Sequence, residues 1–196
     1  MVDFYMREEY NPFYEHGHKK GGVFIPKIIH NAKEEILLAC RKILLDEGYG
    51  ALTIRRVAAN CAIAPATVYN YFSSKEMLAA SVMLEDWHKQ MRKAERVCKN
   101  TEDCMEGFRA IHHGIQYFSG LYGSVWAEYG SFANVSSDYH EILICQLSHL
   151  IRPMLQRLGA CTEPDPTVFL AEMMLHFSLR QDASFDAISP FVRKII

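Results

Sequence analysis

No stretch of this chain approaches the roughly 20 consecutive apolar residues that a membrane-spanning helix requires. The opening segment MVDFYMREEYNPFYEHGHKKGG is charged and aromatic where an export signal would be apolar. The expectation is a cytoplasmic protein with no membrane partner. None of the six cysteines, at 40, 61, 98, 104, 145 and 161, forms a Cys-x-x-Cys pair, which removes the common thiolate metal sites. Several sit on apolar helical positions and read as buried thiols of a reducing compartment. His112 and His113 are adjacent, so on a helix they diverge by about 100° and do not share a metal. No metal and no cofactor is expected. Also lacking is any local set of nucleophile, base and orienting group, which argues against an enzyme.

Strict alternation of apolar and polar residues is scarce too, and what replaces it is helical periodicity. With 49% apolar residues in 196, the chain can build a genuine core. Ile29, Ala32, Ile36, Cys40, Ile43 and Leu44 fall on one stripe of a helix over 27–47, which Gly48 and Gly50 end. Thr53 suits the N-cap of a second helix, TIRRVAANC, with Leu52 and Val57 as its hydrophobic staple. Pro65 suits the first position of a short third helix. Ser73 with Glu76 reads as a capping box opening a long fourth helix to about Val97. Further helices are predicted near 102–120 and 124–133. Two amphipathic ones follow: one through Leu143, Leu147, Leu150, Met154 and Leu158, which Pro153 should kink or split, and one capped by Asp165 through Phe169, Leu170, Met173, Met174 and Phe177. The fold class is all-α.

The net charge of −2 is unevenly spread, with ten Lys/Arg and eight Asp/Glu up to residue 75 and eleven and fifteen beyond it. Between Ala51 and Lys75 the bases Arg55, Arg56 and Lys75 meet no acidic residue in the sequence, a local basic surface. Helix, tight turn and short helix in this segment match the helix-turn-helix arrangement, whose second helix enters the major groove of DNA. With Val68 set inward at 100° per residue, Tyr71 leans inward, Ala66 and Asn70 point out, and Thr67 and Tyr69 flank them. Ala64 and Ala66 allow close approach of the backbone, and Thr67 and Asn70 can reach base edges. Tyr69, Tyr71, Lys75, Thr53 and Arg55 or Arg56 suit phosphate oxygens. A helical hairpin with a solvated basic face is the alternative.

The stretch GYGALTIRRVAANCAIAPATVYNYFSSKEML resembles the N-terminal DNA-binding domain of the TetR family of transcriptional regulators, and the likeness covers about residues 30–90. It implies an N-terminal three-helix domain over 27–90, with the helix-turn-helix at 53–72, after an extension over 1–26. It also implies a helical effector-binding and dimerisation domain over 91–196. DNA contacts are then expected from Thr53, Arg55, Arg56, Ala64, Pro65, Ala66, Thr67, Tyr69, Asn70, Tyr71 and Lys75. The family is mostly of homodimeric repressors, so the implied partners are a double-stranded DNA operator, a second copy of the chain and a small-molecule effector. The pattern departs at Ala62 and Ala66, where family members usually or often carry Gly, and at Ala64, where they carry Ser or Thr. The loss of a hydroxyl N-cap costs about 1 kcal/mol.

For the C-terminal half, Phe108, His112, Tyr117, Tyr122, Trp126, Tyr129, Met173 and Phe177 are candidate lining of an apolar pocket. Leu143, Leu147, Leu150, Met154, Phe169 and Met173 are candidates for a two-fold helical interface. A thiol-switched regulator is the rival reading, with Cys98 between Arg96 and Lys99 as its candidate thiol.

Overall fold

A computed structural model describes residues 31–129, 136–160, 164–180 and 182–196, without the side chains of 126–129 and 136–139. The expected extension over 1–26 lies outside them, as does the start of the helix expected over 27–47, with Ile29. Every regular element among the described residues is helical: α1 (Ala32–Glu47), α2 (Ile54–Asn60), α3 (Pro65–Tyr69), α4 (Lys75–Asn100), α5 (Cys104–Tyr129), α6 (Ser136–Arg157), α7 (Thr167–Ser178) and α8 (Phe185–Ile195). The contacts divide the chain into two compact units, one ending at Val82 and one running from Met83 to Ile196, with α4 continuous through the division.

In the first unit α1 turns Ile36, Leu37, Cys40, Ile43 and Leu44 inward, as its spacing of three and four requires. Gly48 follows in the left-handed region at φ 84°, and its N–H donates to the Leu44 carbonyl. Thr53 caps α2, its hydroxyl accepting the Arg56 N–H at 3.2 Å. Ile54, Val57 and Ala58 of α2 and Val68 of α3 close the core with Leu52 and Phe72.

The turn between α2 and α3 is a Schellman motif, with Ile63 N–H bonded to the Ala58 carbonyl and Ala62 N–H to that of Ala59. Its left-handed position belongs to Ala62, at φ 52°. The same bond pattern ends α6, but there Gly159 holds the left-handed residue at φ 68°. At the start of α4 the cap is Ser74, whose hydroxyl accepts the Met77 N–H at 3.2 Å. The expected box at Ser73 is therefore one residue early, because the exit from α3 extends through Ser73.

The second unit is built of the rest of α4 with α5 to α8, and α6 and α7 make its most extensive packing. α5 is one helix where two were expected: Gly114, Gly120 and Gly123 lie inside it, their propensity overridden by packing. Gly114 supports that packing, since a Cβ there would stand 2.8 Å from Met91 Cε on α4. α6 likewise runs through Pro153 without splitting. α7 begins at Thr167 rather than Pro166, with the Asp165 carboxylate accepting both the backbone N–H and the hydroxyl of Thr167. Trp87, Phe108, Ile111, Ile115, Leu147, Ile151 and Leu170 form its dry centre. Trp87 Nε1 donates to Gln146 Oε1 at 2.6 Å. An indole can only donate, so the Gln146 amide nitrogen must face His88 Nε2, 2.7 Å away, and that nitrogen must be an unprotonated acceptor.

Candidate nucleic-acid interface

α3 is held from one side only. Val68 is fully buried and Phe72 is 1% exposed, while Pro65, Ala66, Asn70 and Tyr71 are open and Tyr69 is 55% exposed. Thr67 is half-buried. The sequence expectation placed Ala66 and Asn70 outward and Tyr71 inward. The first two lie as expected, but Tyr71 is 42% exposed. Helical angles stop applying there, because α3 ends at Tyr69 and Tyr71 lies in the following turn.

Ala64 is extended at φ −73° and ψ 145°, and no side chain caps α3. Pro65 fills the first helical position, so one orphan N–H is absent from the outset. Thr67 N–H reaches the Ala64 carbonyl at 2.9 Å. The helix end therefore rests on the backbone and on its two buried anchors.

Around this tip the charges are less free than the sequence suggested. Arg56 pairs with Glu47 at the end of α1, guanidinium to carboxylate at 2.5 Å. The acidic partner was missed because it lies outside the 51–75 window and arrives through the turn at Gly48. Arg55 is exposed on the same helix. Lys75 Nζ donates to the Tyr49 carbonyl at 3.3 Å and sits 4.1 Å from the centre of that ring. The Tyr49 hydroxyl in turn donates to Glu76 at 3.1 Å. Burial tends to raise the Glu76 pKa, but its backbone bond, Ser74, Tyr49 and Lys75 together hold it below the usual carboxylate value. Tyr49 thus fixes the ammonium at the start of α4, a role its sequence position between two glycines did not reveal.

The other candidate residues are dispersed. Phe108, His112 and Tyr122 lie in the packed interior of the second unit, and His112 Nδ1 is 2.8 Å from the Ser178 hydroxyl. Burial, and then His113 and Arg109, push the His112 pKa down. Tyr117 is 55% exposed and lines a cavity between α4 and α5. Met173 and Phe177 are half-buried on α7, and the side chains of Trp126 and Tyr129 fall outside the described ones.

Leu147, Leu150 and Met154 were expected on a face turned to a second subunit. They are 0%, 4% and 1% exposed within this chain. Their repeat serves the chain's own core, as the contact of Met154 with Gly107 on α5 shows. Leu143 is half-buried, and Phe169 is the open member of the set at 62%.

Cys98 is corrected as a reactive thiol. It is 3% exposed, its Sγ faces the Gly107 carbonyl at 3.7 Å, and burial pushes its pKa up to about 11. A thiol so buried and so seldom ionised is inert. Among the described residues no group of three His, Cys, Asp or Glu is arranged for a metal, and no helix is long and apolar enough to cross a membrane.

A capped α2, a tight left-handed turn and a short, outward-facing α3 define a helix-turn-helix protein. Residues 36–82 match the model for bacterial regulatory proteins of the tetR family. Over those residues the chain matches the helix-turn-helix domain of the TetR family of transcriptional regulators. It is 31% identical over 89 residues to the HTH-type transcriptional regulator UidR of Escherichia coli (strain K12), spanning 45% of this chain and 42% of that protein. Over 51 residues it is 47% identical to an uncharacterised HTH-type transcriptional regulator of Mycobacterium tuberculosis (strain ATCC 25618 / H37Rv), 26% of this chain and 24% of that one. The aligned part thus covers less than half of either relative. The fold extends further: a TetR-family transcriptional regulator from Pectobacterium atrosepticum superposes with a TM-score of 0.63 at 19% identity, over 84% of this chain and 93% of that one.

Proposed function

We propose that the protein is a DNA-binding transcriptional regulator, a homodimeric repressor whose α3 enters the major groove of a quasi-palindromic operator and which a small molecule releases. The observation that carries this reading is the division of α3 into a buried Val68 with its neighbour Phe72 and an open face of Ala66, Tyr69 and Asn70. A five-residue helix whose solvent side is small and hydrogen-bonding suits a groove about 12 Å wide. Asn70 pairs with adenine bidentately, and Thr67 contacts a neighbouring base edge. Tyr69, Tyr71, Thr53, Arg55 and Lys75 hold phosphates, with Pro65 and Ala64 letting the backbone come close. Arg56 joins them on leaving Glu47.

For two-fold pairing, the open residues Val168 and Phe169 of α7, 52% and 62% exposed, with half-buried Met173 and Leu143, supply an apolar patch. The effector acts in the second unit, shifting the population between forms that fit and do not fit the operator by its differential affinity for them.

Fluorescence anisotropy on operator-length duplexes tests the docking. Lys75→Ala lowers affinity for all sequences and reduces the slope of log affinity on log salt by about one. Tyr69→Phe also weakens binding uniformly, whereas Asn70→Ala relaxes preference at particular base pairs, each worth about 1–3 kcal/mol. Parent-like behaviour of all three variants would show that α3 does not dock this way.

A further inference from the structure

The second unit contains an opening that the DNA-reading function leaves unused. Between α4 and α5 lies a cavity of about 570 Å³ with a floor of Ala94, Val97, Ala110 and Gly114, a volume typical of small-molecule sites. The two helices are drawn together on either side of it. Cys98 Sγ meets the Gly107 carbonyl at 3.7 Å, and Gly114 lies where a Cβ would crowd Met91 Cε at 2.8 Å. Between those contacts the small side chains leave the gap.

Its rim is chemically one-sided, for no carboxylate lines the cavity. Lys93 extends along the rim, with Nζ donating to Gln90 Oε1 at 3.2 Å and standing 5.7 Å from the centre of the Tyr117 ring. Gln90 is 7% exposed, and a neutral amide orients the ammonium without neutralising it. Among the described residues no carboxylate pairs with Lys93. His113 stands on the same lining, and Gln116 spends its amide on the carbonyls of Ala183 and Arg180. The groove offers an apolar floor, an aromatic wall and one unpaired positive charge at its edge.

We propose that this groove binds a small amphipathic monocarboxylate, its carboxylate on Lys93 and its apolar body along Ala94, Val97, Ala110 and Gly114 beside Tyr117. The proposal names the ligand class for the ligand-responsive reading given above and rests on it. A cation is rejected because Lys93 repels it, and a neutral molecule of the same tail binds more weakly because the ammonium gains no partner.

Isothermal titration calorimetry on the full chain with decanoate, 1-decanol and decylammonium, all below micelle formation, separates these cases. Decanoate should saturate at one per chain and bind more tightly than decanol, with decylammonium weakest. Lys93→Met should weaken decanoate about fivefold, the effect of losing one partly exposed ion pair, and leave decanol unchanged. Ala110→Phe fills the floor and should remove binding of both. Equal binding of all three head groups, no binding of decanoate, or parent-like binding by Lys93→Met would overturn the proposal. Should Ala110→Phe fail to fold, Lys93→Met, at an exposed position, still decides. Operator binding by the ligand-free protein is measured separately. A chain that selects a DNA dyad but ignores decanoate loses this inference alone, and one that binds decanoate through Lys93 but no DNA loses the regulator reading.

Discussion

Ala62→Gly should stabilise the first unit, although it removes a methyl group from a folded protein. Ala62 sits at φ 52° as the left-handed residue of the Schellman turn between α2 and α3. For a residue with a Cβ that conformation costs about 1–2 kcal/mol relative to glycine. Against this, glycine makes the unfolded chain looser, which takes back about 0.4–1 kcal/mol. Both turn bonds, Ile63 N–H to Ala58 at 3.0 Å and Ala62 N–H to Ala59 at 3.1 Å, are backbone bonds and survive the change. The difference is a gain of about 0.5–1 kcal/mol, or a few degrees in Tm for a chain of this size. Gly159→Ala is the mirror experiment. Gly159 has φ 68° in the same motif, and a Cβ there would touch nothing within 4 Å. That substitution should therefore cost about 0.5–1 kcal/mol, the same difference with its sign reversed. The assay is urea unfolding at one fixed protein concentration, with the midpoint compared at unchanged m-value. A lower or unchanged midpoint for Ala62→Gly, or a neutral Gly159→Ala, would show that the left-handed turn stores no such strain.

Other outcomes follow from the same geometry. Glu47→Gln releases Arg56, so it should leave stability within about 0.5–1 kcal/mol yet raise DNA affinity and steepen its salt dependence in anisotropy titrations. Gly107→Ala would place a Cβ 2.3 Å from Met154 Sδ, which is 1% exposed, and should destabilise by about 1–3 kcal/mol in urea unfolding. Burial, and then Arg92, hold the His88 pKa below its ordinary value. Its contribution to stability is therefore fully present above about pH 6.5 and lost as the pH falls through the lower folded value. His88→Gln should lessen the decline in unfolding free energy between about pH 7.5 and 5, and an unaltered slope would contradict the Gln146–His88 bond. Cys40 and Cys98, with pKa values pushed up to about 12 and about 11 by burial, should resist a thiol reagent at neutral pH until the chain unfolds.

What the sequence disclosed depends on how local the determining physics is. The stripe of α1, the cap at Thr53 and the burial of Val68 follow from residues a few positions apart, and the structure agrees with each. Ala62 was visible as a departure from a glycine, and φ 52° gives that departure its energetic meaning. The misplacements come from longer range. Glu47 meets Arg56, and Tyr49 seats Lys75, only because the turn at Gly48 folds α1 back onto α2 and carries Tyr49 to the start of α4. The stripe of Leu147, Leu150 and Met154 has the right period for an interface as well as for a core, and periodicity alone does not say which surface it meets. Gly114 illustrates the same limit, since the side chain that leaves no room for a Cβ there, Met91, belongs to another element.

Whether the open face of α3 reads DNA is answered by selection from a pool of random duplexes with the purified full chain. A DNA-reading α3 should enrich a two-fold symmetric sequence whose half-sites lie about one helical turn apart, with Asn70→Ala enriching a dyad relaxed at the adenine it pairs. A pool that emerges without any dyad, or that is unchanged by Asn70→Ala, would contradict it.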